Sequence, residues 1–326
     1  MANKRLLFAL ILSATLCLSN CAFVTIPLFP TTQNLQEQVI EGEGKGKDKI
    51  LLLDISGVIS EREDSGLLSQ QDTSMIEDIK EALKKAHHDD AIKGIVVKIN
   101  SPGGTITGSD ILHHELKQFK KEKEIRIVAC LMDVATSGGY YVATAADEIM
   151  AHPTTITGSI AVIAMKFDIE GLLNIIGVKD ETIKSGELKD IWSPFRPSTD
   201  KERAIMQAII DKFHNRFVDV IKDGRKELTR QEIEKLADGR IFTADEALKA
   251  ELIDRIGYLD DALDEMKNSL GIPGATVITY GRPGTFKGTI YSKTYSAAPQ
   301  TSNFFSLSRK DLTQSLNLCF MYLWLP

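Results

Sequence analysis

Apolar residues along this chain fall into short unbroken runs that alternate with stretches of helical spacing. KILLLDISGVIS, residues 49–60, is a continuous strand signal. Ser74 followed by Glu77 forms a capping box, and the helix it opens carries Ile76, Ile79, Leu83 and Ala86 on one face. IKGIVVKIN, residues 92–100, is rich in β-branched side chains and predicts a buried strand. NSPGG stops it, and residues 109–121 predict a helix with Leu112, Leu116 and Phe119 in register. IRIVACLM is another strand, after which ATSGGYYVATAAD turns into a helix through Ala146. EIMAHP and GSIAVIAMKFD predict further short strands. A second capping box, Thr199 with Glu202, starts a long amphipathic helix that points Met206, Ile209, Phe213, Phe217 and Val220 inward and ends at Gly224. A third, Thr243 with Glu246, opens the helix in ADGRIFTADEALKAELIDRIG. Strand–helix alternation of this kind predicts an α/β layered fold with mostly parallel pairing.

Both ends break the pattern. Lys4 and Arg5 precede the apolar run Leu6–Leu18, which reads as a secretory signal and is too short for a membrane span of about 20 residues. Leu18-Ser19-Asn20-Cys21 resembles the lipobox of bacterial lipoproteins, whose cysteine is acylated, with Asn20 where glycine or alanine is usual. Cleavage near Ala22 and an uncleaved anchor are the alternatives, and each places the rest of the chain outside the cytoplasm. Pro27, Pro30 and EGEGKGKDK read as a flexible tether. The expected division is therefore 1–21 signal, 22–48 tether, 49–271 main domain and 272–326 C-terminal extension. The last apolar stretch, Leu316–Pro326, fits a final strand, a cover over a subunit interface, or a segment resting near a substrate groove.

Composition narrows the partners. A formal net charge of −6 over 326 residues, with no long basic block, argues against nucleic acid. Cys17 and Cys21 lie in the signal region, Cys130 in a strand and Cys319 near the end, so no disulfide framework or metal spacing emerges. The histidines form no ligand set, and the pairs His87-His88 and His113-His114 are expected on the surface. No metal or cofactor is expected.

Chemistry concentrates at two glycine turns. Ser137 sits at a strand-to-helix junction, where Gly138 and Gly139 permit a tight turn and close approach of a substrate. Amides at such a helix start favour a developing oxyanion, although a plain N-cap serine reads the same way. Asn100–Gly104 also ends a buried strand and exposes backbone amides. Two such turns at neighbouring strand ends suit a nucleophile and a facing oxyanion donor, worth ~3 kcal/mol in the transition state. The base is open between His152, His214, Lys184 and Lys189. A lysine in this role must drop about 3 units from pKa ~10.4, which takes ~4 kcal/mol of desolvation or like-charge pressure.

Taken in order, NSPGG, ATSGGYYVATAAD, TGSIAVI, KSGELKD and ADGRIFTADEALKAELIDRIG resemble the segments of signal peptide peptidase A, the serine peptidases of family S49, over about residues 50–270. The resemblance implies a fold similar to the Clp protease and crotonase group, a spiral of ββα units with mostly parallel strands. It implies Ser137 as nucleophile, Lys189 as general base, Ser159 as the hydroxyl holding the lysine, and the Gly104 and Gly138 amides as oxyanion donors. A ring-like homo-oligomer is also implied, with serine and lysine from adjacent subunits, acting on signal peptides and other hydrophobic membrane-associated peptides. The length matches the short, single-copy form, and Glu251 stands where a glycine is common. Two further readings keep the fold: a crotonase-like acyl-CoA enzyme, and a non-catalytic membrane scaffold. The export signal and serine–lysine pairing weigh against the first, the intact Ser, Lys and glycine set against the second.

Overall fold

The computed structural model describes residues 34–42, 47–61, 74–282, 288–292 and 320–324. The signal segment with Cys21, and much of the tether, lie outside the described residues. In chain order the elements are β1 (Gln36–Glu41), β2 (Lys49–Ser56), α1 (Met75–His87), β3 (Ile92–Ser101), β4 (Gly103–Thr105), α2 (Ile106–Lys123), β5 (Arg126–Thr136) and α3 (Gly138–Ala143). There follow β6 (Glu148–Ala151), β7 (Ile156–Gly158), α4 (Glu170–Ile175), α5 (Asp200–Gly224), α6 (Arg230–Leu236), β8 (Ile241–Thr243), α7 (Ala244–Lys249), β9 (Arg255–Ile256), α8 (Leu259–Ser269), β10 (Thr276–Gly281) and β11 (Met321–Leu323).

The central sheet runs β1-β10-β2-β3-β5-β6-β9, with β7 on the far end of β5 and β8 beside β7. From β10 to β9 every pairing along that path is parallel, while β1 and β8 add antiparallel edges. Period-two alternation sends Leu51, Leu53 and Ile55 of β2 to one face and Ile50 and Leu52 to the other. One face meets α1, α2, α3 and α5; the opposite face meets Leu259, Leu263 and Met266 of α8. Cover on both faces explains why β2 and β3 read as unbroken apolar runs. It also buries Cys130 completely and pushes its thiol up to about 12, which leaves that sulfur unreactive.

All three expected capping boxes form, at Ser74–Glu77, Thr199–Glu202 and Thr243–Glu246. Boundaries at the ends of the domain move. Residues 36–41, assigned from sequence to the flexible tether, form β1 along β10, with Leu35 buried. The extension supplies β10 within the main sheet, and Lys98, paired with Asp54 at 3.4 Å, donates to the Ser292 carbonyl at 2.8 Å. The predicted strand GSIAVIAMKFD contributes only Gly158, the last residue of β7, and an isolated bridge at Ile163. His113, expected on the surface, is only 6 % exposed.

Glu251 closes α7 in a left-handed conformation, φ 56°. Its N–H donates to the Leu248 carbonyl and that of Leu252 to Ala247, the two bonds of a Schellman cap. A side chain there carries a backbone cost that glycine lacks. Glu251→Gly is expected to stabilise the chain by about 1 kcal/mol in urea unfolding; a loss of stability would contradict the cap.

Candidate active site

Strand β5 delivers Ser137 at its end, and the turn into α3 forces that residue to φ 52°, ψ −115°. For a non-glycine residue this costs on the order of 1–3 kcal/mol. The strain is held from both sides: Ser137 N–H donates to the Gly158 carbonyl at 2.7 Å, and Tyr141 N–H to the Ser137 carbonyl at 2.9 Å. The serine is 1 % exposed, and its hydroxyl has no hydrogen-bond partner. An N-cap serine would spend that oxygen on its own helix, but no such bond exists here. Ser159, also left-handed at φ 51°, follows Gly158, and Gly158 pairs with Thr136. The ends of β5 and β7 thus bring Ser137 and Ser159 side by side.

Strand β4 lies across the neighbouring strand end. It runs parallel to Ile59 on one side, with Ile59 N–H donating to the Gly103 carbonyl at 2.9 Å and Thr105 N–H to the Ile59 carbonyl at 2.8 Å. Neither glycine of β4 tolerates a side chain. A Cβ on Gly104 would stand 1.9 Å from the Ile59 carbonyl oxygen, and one on Gly103 1.9 Å from the Tyr322 carbonyl oxygen.

That last contact reveals what the sequence left open. The C-terminal strand β11 lies antiparallel to β4, with Tyr322 opposite Gly104. Ile106 N–H approaches the Phe320 carbonyl at 3.5 Å and Trp324 N–H donates to Pro102 at 2.9 Å. Alternation therefore makes Tyr322–Gly104 a hydrogen-bonding pair. On its other edge Met321 exchanges both backbone bonds with Ile163, at 3.0 and 3.1 Å. The Tyr322 carbonyl sits against Gly103 and Gly138, since a Cβ on Gly138 would also meet it at 3.1 Å. A peptide carbonyl is therefore lodged beside the Ser137 turn, between the two turns expected to supply oxyanion amides. Of the three places open to the tail, the structure shows a final strand, laid against the Ser137 turn.

The Tyr322 ring is fully buried. It stacks on Tyr141 at 5.2 Å between centroids and packs on Phe217 at 4.6 Å, and its hydroxyl donates to the Phe213 carbonyl at 2.7 Å. Helical spacing marks Phe213 and Phe217 as inward-facing, but nothing in the local pattern marks them as the walls of a pocket for Tyr322. Tyr141 is anchored in turn by its hydroxyl, which donates to Asp110, itself bound by Arg216 at 2.9 Å. His113 packs edge-on against Tyr141, its Nε2 buried without a partner, and burial drops its pKa to about 3. Because the unfolded chain takes up that proton near pH 6.5, stability falls as pH drops from there toward 3. His113→Leu is expected to remove on the order of 2 kcal/mol of the loss between pH 6.5 and 4.5. Parallel unfolding curves for both proteins across that window would refute the assignment.

The candidate bases are separated by the structure. His214 Nε2 is bonded to the Ala237 carbonyl at 2.8 Å, and His152 Nδ1 faces Thr154 at 3.0 Å. Lys184 donates to Asp190 at 2.7 Å, so its amine is committed to a carboxylate. Lys189 is exposed, and within the single chain no candidate base reaches the unpartnered Ser137 hydroxyl.

A strained, shielded serine beside a peptide carbonyl held by glycine backbone has the geometry that acyl transfer to a serine requires. Known proteins agree. The model of peptidase family S49 matches residues 119–272. A protein of Enterococcus faecium named signal peptide peptidase SppA is 37 % identical over 253 residues, spanning 78 % of this chain and 72 % of its own length. Protease 4 of Haemophilus influenzae is 31 % identical over 67 % of this chain, and the chloroplastic serine protease SPPA of Arabidopsis thaliana 31 % over 74 %. These matches span 34 % and 36 % of those two longer proteins. The chain belongs to peptidase family S49 and is a serine peptidase. Its fold is the Clp protease-like α/β arrangement of that family.

Proposed function

We propose that this protein is an endopeptidase with a Ser137–Lys189 dyad that cuts hydrophobic peptides, signal peptides among them, outside the cytoplasm. The observation that carries the reading is β11: a strand lies between β4 and Ile163 with a peptide carbonyl against Gly103 and Gly138. A substrate bound in the same way presents its scissile carbonyl to Ser137, with the Gly104 and Gly138 amides receiving the oxyanion. Neutral Lys189, steadied by Ser159, takes the serine proton as the Oγ–C bond forms, then passes it to the leaving amine as the C–N bond breaks. The same lysine deprotonates the water that releases the acyl group.

Lys189 reaches the serine from an adjacent subunit of a ring in this reading. Support comes from the segment that carries it, where Phe167, Leu172, Ile175, Ile176 and Ile183 are exposed, an apolar surface suited to a second copy of the chain. Acylation at Cys21 anchors the assembly to a membrane; no helix among the described residues is long and apolar enough to cross one. A fluorophosphonate probe tests the reading: it is expected to label Ser137 in the wild-type chain and to fail with Lys189→Ala. Full labelling and peptide cleavage by Lys189→Ala would end the dyad assignment.

A further inference from the structure

We propose that Arg196 is a positioning residue for this peptidase, clamping the turn that carries Lys189 to the first turn of α5. The inference rests on Lys189 being the general base. Hydrogen bonds inside that turn are local: Lys189 N–H to Gly186 at 3.1 Å, Ile191 N–H to Leu188 at 3.1 Å and Ser193 N–H to Asp190 at 3.0 Å. Just beyond it Ile169 N–H donates to the Pro194 carbonyl at 2.8 Å; among the described residues, the side-chain ties of the turn to the rest of the protein are few. Trp192 Nε1 reaches the Met165 carbonyl at 3.4 Å, and the exposed Lys201 and Glu187 meet at 3.1 Å. The third tie is Arg196, and it is of another order.

Its guanidinium grips Asp190, the residue directly after Lys189, in three places. Nε donates to Oδ2 at 2.8 Å, and Nη2 to Oδ1 at 2.7 Å and to the Asp190 backbone carbonyl at 3.2 Å. Nη1 reaches across to Glu202 Oε2 at 3.0 Å. Glu202 is 1 % exposed and fixed by the capping box, accepting from Thr199 N–H at 2.8 Å. A chain of strong bonds therefore runs from Glu202, the one buried residue in the otherwise exposed first turn of a 25-residue helix, to the peptide unit that joins Lys189 to Asp190. The Arg196 guanidinium draws the Glu202 carboxyl down to about 2; it also holds Asp190, with help from Lys184, well below the usual carboxylate range. Both partners stay ionised at any working pH, so the clamp stays closed.

Only an arginine fits. Its planar fork serves two carboxylates and a carbonyl at once, whereas an ammonium offers a single centre. A general base displaced by about 1 Å loses on the order of 100-fold in rate, so a lysine on an exposed turn needs such a fastening.

In the full-length protein, Arg196→Gln is expected to lower kcat for a hydrophobic fluorogenic peptide about 10- to 100-fold, with KM changed less than about twofold. Asp190→Asn, which releases the clamp from the other side at constant volume, is expected to match it, and Arg196→Lys to recover only part of the loss. A merely structural role would instead reduce the folded fraction and leave kcat per folded molecule intact. The clamp is overturned if Arg196→Gln and Asp190→Asn keep wild-type kcat, or if Arg196→Lys restores it completely. Should Arg196→Gln fail to fold, the other two variants decide the question. Lys189→Ala, measured alongside, separates the two readings. If it is active, the base assignment falls and the clamp with it; if it is inactive while both clamp variants are fully active, only the clamp falls.

Discussion

Ser137→Ala is expected to lower peptide hydrolysis about 10⁴-fold or more while making the protein harder to unfold. The first half follows from removing the nucleophile. The second follows from burial: the hydroxyl is 1 % exposed and bonds to nothing, so the folded chain carries a desolvated polar group without compensation. In the isolated subunit, where no lysine from a neighbour meets the hydroxyl, replacing it with hydrogen relieves about 1 kcal/mol. The left-handed backbone at φ 52° is no easier for alanine, so that part of the strain remains. Activity and stability should therefore move in opposite directions, as they do where a site is built at the expense of the fold. Residual turnover within tenfold of wild type, or a variant less stable by more than about 1 kcal/mol, would show that this hydroxyl is an ordinary buried serine.

Deleting residues 311–326 is expected to lower KM for a hydrophobic peptide about tenfold or more, with kcat changed less than about twofold. In the intact chain β11 occupies the groove with its backbone paired on both edges and the Tyr322 ring enclosed by Tyr141 and Phe217. A tethered strand competes at an effective concentration in the millimolar range, whatever the concentration of free peptide. Tyr322→Ala should yield most of the effect by itself, because the fully buried ring and its bond to Phe213 supply the side-chain share of docking. An unchanged KM in both proteins would mean that the tail gives way to substrate without cost. Some loss of thermal stability should accompany either change, since the aromatic pocket is then opened to water.

Sequence and structure agree where the controlling forces are local. Each capping box needs only two side chains three residues apart, and each formed. The strand–serine–glycine turn at 133–147 was legible for the same reason: β5, the turn and α3 follow one another directly. His113 escaped because its neighbours in the chain mark a polar helix face; the partner that buries it, Tyr141, comes from a different helix. Composition and spacing left Lys184 and Lys189 equal, and only the resemblance favoured Lys189; that the Lys184 amine is bound by Asp190 had no signal in the local pattern.

By itself the sequence determined the alternation of strands and helices, the places where helices begin, and the presence of a serine and glycines that had to turn sharply together. Periodicity and capping act within a few residues, so they are written wherever those residues stand in line. Only the tertiary structure decided that a strand near residue 39 borders one near residue 278, and that Tyr322 lies opposite Gly104. Such pairings join segments more than two hundred residues apart. They are selected by which exposed edges and empty pockets remain once the rest of the chain has packed, a condition that no local pattern encodes.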